Sequence, residues 1–192
     1  MHWIDPDSLS PISSKVERFL FNPKGDAAGM LLANGTEAHF PPHLSKPVLK
    51  RIQCGDVVTV YGVKPKAADM LALVAIETAG GERICDTGPP DKHHDRPHPK
   101  EKAHGEEAEV AGSVDRLLHG PKGEVRGFLL SGGQIVRFPP HALESAHKWL
   151  AVGEAVAVRG PAIEAGDTQV IEAKAWGPSR SRLKALGPKK HD

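Results

Sequence analysis

Four histidines, His93, His94, His98 and His104, crowd into twelve residues of this 192-residue chain. Imidazoles so gathered can bind Ni²⁺, Cu²⁺ or Zn²⁺. Their spacing fits no structural zinc pattern, and Cys85 is the only thiol near them. Prolines and charges fill the gaps, and the stretch has no apolar period. It reads as a polar tether rather than a metal site. No metal and no other cofactor is expected.

Other reactive constellations are missing from the sequence. It has no nucleophile motif, no Gly-rich phosphate loop before a helix and no His-Glu-x-x-His pair. Asp56 and Asp69, like Glu154 and Asp167, fall at the ends of apolar runs and read as turn residues. An enzyme is not expected. Two cysteines, Cys54 and Cys85, make no disulfide framework. Cys54 reads as a small buried hydrophobe, and the pair fits a reducing cytoplasm. The start, Met1-His2-Trp3-Ile4-Asp5-Pro6, lacks the cationic and apolar parts of a signal peptide, and no run approaches a membrane span.

Cations at repeated positions are the remaining chemistry. Val16-Glu17-Arg18-Phe19-Leu20, Pro23-Lys24-Gly25 and Phe40-Pro41-Pro42-His43 recur as Val114-Asp115-Arg116-Leu117-Leu118, Pro121-Lys122-Gly123 and Phe138-Pro139-Pro140-His141. The offset is 98 throughout, with no gap needed to about residue 77. The chain is therefore two copies of one small domain, at 14–79 and 110–177. Segment 1–13 precedes them, 80–109 is a His- and Pro-rich linker, and 178–192 is a basic tail. Net charge is only +1. The linker carries about −3 and the tail about +4, through Arg180, Arg182, Lys184, Lys189 and Lys190 against Asp192.

Both copies share one element order. A first strand ends at a Pro-Lys-Gly turn. Asn34-Gly35 and Gly132-Gly133 each divide a pair of strands, as two-residue hairpins with both positions at positive φ would. Paired prolines stop the third strand. A short helix follows, with Val48, Leu49 and Ile52 in copy one and Leu143, Ala146, Trp149 and Leu150 in copy two. Gly55 and Gly153 end it. Two further strands cover 56–64 and 70–76, then 154–161 and 168–173.

Strand, strand, strand, helix, strand, strand resembles the OB-fold, a small five-stranded Greek-key barrel. The pair is similar to tandem proteins of a bacterial OB-like group. The resemblance implies an all-β chain with one short helix per copy, arranged as two five-stranded barrels. It also implies a ligand groove beside the first loop. Proteins of this fold very often bind single-stranded nucleic acid or oligosaccharide, and the fold by itself implies neither. Single-stranded DNA or RNA is the ligand expected here.

The residues expected at that groove divide by position. Lys24 and Lys122 occupy the first loop, where a lysine meets phosphate as a point charge. Pro-Lys-Gly is also simply a good turn. Arg18 and Arg116 sit within strand one. On strand three, Ala38 and Phe40 match Val136 and Phe138 on the core face, which turns His39 and Arg137 outward. On strand four, Tyr61 and Arg159 turn outward likewise. Tyrosine and arginine planes stack on bases; an ordinary wet sheet face carries the same residues. His43 and His141 are expected to cap the helix, or to meet an anion there. The alternative function is a protein-interaction or scaffold module without a nucleic-acid ligand.

Overall fold

The computed structural model describes residues 4–66, 69–88, 105–120, 122–143 and 150–186. The His-rich stretch 89–104, the expected helix residues Ala146 and Trp149, and Lys189 and Lys190 lie outside them. The chain divides into two compact units, each holding one sheet.

In the first unit β1 (Ile12–Phe21), β2 (Ala27–Leu32) and β3 (Glu37–His39) form an antiparallel meander. A 3₁₀ turn at Pro42–Leu44 and the helix α1 (Ser45–Arg51) lead to β4 (Val57–Val63) and β5 (Met70–Thr78). β4 pairs with β1 and β5, and β3 pairs in parallel with β5. That last pairing closes five strands into a barrel of OB topology. A short β6 (Arg83–Cys85) adds to β5.

The second unit repeats the plan with β7 (Glu106–His119), β8 (Val125–Leu130), β9 (Ile135–Arg137), β10 (Ala155–Ala165) and β11 (Thr168–Glu172). The β9–β11 parallel pairing closes it. β12 (Ala175–Gly177) pairs with β10, and β13 (Lys184–Ala185) pairs with β12.

The duplication reaches individual hydrogen bonds. Gly55 N donates to Val16 O at 2.7 Å, and Gly153 N to Val114 O at 2.7 Å. Register skips one residue at Glu17 and again at Asp115, so both acids sit in β-bulges. Phe40 N donates to Ala28 O at 3.1 Å and Phe138 N to Arg126 O at 3.2 Å, across a second matched bulge.

Alternation explains the interiors. Val16, Met30, Leu32, Ala38, Phe40, Val58, Val60 and Ile76 are buried in the first unit. In the second, Val114, Phe128, Leu130, Val136, Phe138, Val156, Val158 and Trp176 form one cluster. The Trp176 ring meets Phe138 edge-on, with centroids 4.9 Å apart.

Several sequence expectations need correction. The offset changes before strand five: Glu37 pairs with Met70 and Ile135 with Val170, so it is 98 at one partner (135 minus 37) and 100 at the other (170 minus 70). Copy two thus holds two more residues before its last strand. With that shift, β6 and β13 are equivalents, and the repeated unit continues past 79 and 177. Strands also enter both ends of the expected linker, at Arg83–Cys85 and from Glu106 onward.

The Asn34-Gly35 hairpin is not a two-residue turn. Gly35 N donates to Leu32 O at 2.8 Å and Leu32 N to Thr36 O at 2.9 Å. Within these two loops the residue at positive φ is Gly35 (φ 89) in one and Gly133 (φ 87) in the other. This is a three-residue loop whose last residue alone must be left-handed. Gly55 (φ 92) does not end α1, which stops at Arg51; it turns the chain into β4. Leu49 and Cys54 are exposed, so neither belongs to the core.

Candidate nucleic-acid interface

The first loop is built by local hydrogen bonds. Lys24 N donates to Asn22 Oδ1 at 2.8 Å, and Gly25 N to Asn22 O at 3.0 Å. Asn22 thus caps its own turn. Gly25 and Gly123 share φ values of 85° and 84°. Lys24 and Lys122 are both exposed beside them.

Strands one to three behave differently. Cross-strand pairs place Arg18 beside Leu31, Leu31 beside Glu37, and Leu20 and His39 beside Gly29. Directly paired residues share a face, so these six residues line the barrel's outside. Leu20, Leu31, Glu37 and His39 are nevertheless buried, Glu37 at 1% and His39 at 7% exposure. His39 Nε2 lies 2.7 Å from Glu37 Oε1. The expectation of His39 as an outward contact is therefore right in parity and wrong in exposure. Alternation assigns faces but does not say whether the second face meets water. The signal that could have warned of it is apolar: Leu20, Leu31, Leu118, Leu129 and Ile135 all fall on outer parity. Arg18, Arg116 and Arg137 are half-buried.

On β4, Tyr61 is half-buried, and the Arg83 guanidinium lies 5.0 Å from its ring centroid. Arg83 donates to Asp7 Oδ1 at 2.9 Å and to Glu77 Oε2 at 3.1 and 3.3 Å. Those bonds, Asp7's first, hold its pKa above the usual arginine range. One tyrosine face thus has a cation on it already. At the matching place in copy two, Arg159 donates to Glu109 Oε2 from Nε at 3.0 Å and from Nη2 at 2.7 Å. Arg180 Nε stands 3.7 Å from the other oxygen of Glu109.

Sequence reasoning assigns Arg180 only to a basic tail and misses Arg83 and Glu109, because 80–109 reads as linker although β6 and the start of β7 lie within it. His43 does not cap the helix either. Its Nε2 lies 3.0 Å from Asp86 Oδ1, tying the corner after β3 to the residue after β6. Asp86 N in turn donates to Val74 O at 2.9 Å. His141 is half-buried in copy two.

Among the described residues no three His, Cys, Asp or Glu side chains gather to hold a metal ion. The histidines from His93 to His104 lie outside that set. No described helix is long and apolar enough to cross a membrane.

No family model matches the chain, and no curated protein matches it. Among solved structures it is similar to the single-stranded DNA binding protein from Thermus aquaticus. The wild-type form shows 13% identity over 95% of each chain, with a TM-score of 0.27. A deletion variant shows 13% identity over 94% of this chain and 96% of that one, with a TM-score of 0.26. Scores that low carry no argument about the ligand. The tandem OB fold rests instead on strand order and on the two parallel closures.

Proposed function

We propose that the chain binds single-stranded nucleic acid, without catalysis, through the β1–β2 and β7–β8 loops of its two barrels. One observation supports this most: an exposed lysine at the same turn position in both copies. The turn uses Asn22 as a side-chain acceptor and Gly25 as its left-handed residue. It gives the Lys24 side chain no geometric task. Copy two replaces Phe21-Asn22 with His119-Gly120 and still carries Lys122. In an OB barrel that loop borders the ligand groove.

Burial of Leu20, Leu31, Glu37 and His39 moves contact away from the face of strands two and three. Arg18, Arg116 and Arg137 then act from its margins, and Tyr61 and Arg159 from strand four. His39 supports the face without touching the ligand. Two weak sites in one chain raise each other's effective concentration.

Fluorescence anisotropy with dT and rU oligonucleotides of about 20 nucleotides, at two salt concentrations, tests this. K24A/K122A should weaken binding roughly tenfold and flatten the log–log salt slope by about 1.4, at about 0.7 per phosphate contact. Absence of binding by the unaltered chain to both oligonucleotides would reject the reading.

A further inference from the structure

We infer that a cationic edge of the second barrel, carried by Arg159, Lys174, Arg180, Arg182 and Lys184, is a docking surface for the phosphodiester backbone of a single strand. It rests on the function proposed above and says where the charge that holds the strand is concentrated.

The two barrels differ most here. Arg159 pairs with Ala175 as Tyr61 pairs with Ala75. Lys184 pairs with Trp176 as Ile84 pairs with Ile76. Leu186 N donates to Lys174 O at 2.7 Å, as Asp86 N does to Val74 O. Arg180 and Arg182, at the same offset of 100, stand where copy one has Gly80 and Glu82. Five cations thus replace one tyrosine, two aliphatic residues, one glycine and one carboxylate. All five are exposed.

The segment that carries three of them is held on the sheet. β13 pairs with β12, and Leu186 packs partly buried against the Trp176 cluster. The Arg182 carbonyl lies so close to Gly177 that a Cβ there would collide with it. Lys174 N donates to Arg159 O at 2.9 Å, which sets Lys174, just before β12, beside Arg159 on β10.

Among the described residues two carboxylates answer the five cations. Glu172 Oε1 takes Lys174 Nζ at 2.6 Å, and Glu109 is shared by Arg159 and Arg180. Arg159 is 48% exposed and Arg180 64%. Exposed ion pairs of this kind are weak. A phosphate oxygen can take the place of Glu109 on either guanidinium at little cost, and arginine binds it through two parallel N–H donors.

The test is anisotropy of the full chain with a fluorescein-labelled dT oligonucleotide of about 20 nucleotides and with the same sequence as a duplex. R180S/R182S/K184S should weaken dT binding by ten- to a hundredfold and flatten the salt slope by about 2, since each lost contact removes about 0.7. E109Q should tighten binding by roughly twofold to fivefold, because it releases two guanidiniums from one carboxylate. Wild-type affinity and slope in the triple variant would overturn the surface; if K24A/K122A still weakens binding, the loop reading stands without it. Weaker binding by E109Q would make Glu109 a structural partner and likewise overturn the surface. Equal affinity for the duplex would overturn the single strand as its occupant. Absence of binding by the unaltered chain would fell the functional reading, and this surface with it.

Discussion

The two barrels share a backbone plan yet place their charges in opposite ways. In the first, polar groups close on one another: Glu37 on His39, His43 on Asp86, Arg83 on Asp7, Glu77 and the Tyr61 ring. In the second, Ile135 fills the place of Glu37, Leu186 that of Asp86 and Gly177 that of Glu77. Those carboxylates have no counterpart at these positions, and Arg159, Lys174, Arg180, Arg182 and Lys184 are exposed. A duplicated fold kept its hydrogen-bond ladder while one copy became self-satisfied and the other electropositive along one edge. Backbone pairing and surface charge can diverge this way because exposed charges contribute little to stability.

Exchanging core residues breaks the symmetry hardest. Trp176 stands where copy one has Ile76, and both are buried. W176A should cost about 3–5 kcal/mol in chemical denaturation. I76W should cost about 1–3 kcal/mol, because the first barrel is packed for a smaller side chain. Equal tolerance of tryptophan at both positions would contradict the distinct packing of the two interiors.

The buried polar pair comes next. H39A removes a hydrogen-bond partner from a carboxylate that is 1% exposed, and should cost about 1–3 kcal/mol. R137A, at the half-buried equivalent, should cost less. The comparison fails if the ranking reverses.

The loops should show the symmetry that the surfaces lack. Gly35 and Gly133 have matching φ, and a Cβ at Gly35 meets nothing within 4 Å. Backbone strain then dominates, so G35A and G133A should each cost about 1–2 kcal/mol. A large difference between them would mean that the two hairpins are not equivalent.

Most of the architecture was legible in the sequence. Element order, the Phe-Pro-Pro corner and the barrel-facing parity of Ala38, Phe40, Val136 and Phe138 follow from spacing alone. Three features did not. The two extra residues before β11 leave only a short mark: Met70-Leu71 face Thr168-Gln169 at an offset of 98 and Val170-Ile171 at 100, two residues against a gapless match through the three strands before them. Burial of the outer face depends on what covers it, which periodicity does not encode. β6 and β13 are too short for a pattern and sit among prolines, glycines and charges. The candidate site suffered from that last gap. The partner of Tyr61, Arg83, comes from β6; the partner of Arg159, Glu109, lies at the linker's edge; and Arg180, which shares Glu109, lies beyond β12.

Amide chemical-shift mapping of the full chain during titration with a dT oligonucleotide is the most direct check on where a strand lies. The largest changes should fall at Lys24, Lys122, Arg159 and Arg180–Lys184, with Leu31, Glu37 and His39 nearly still. Changes centred on β2 and β3, or none on β12 and β13, would contradict the assignment.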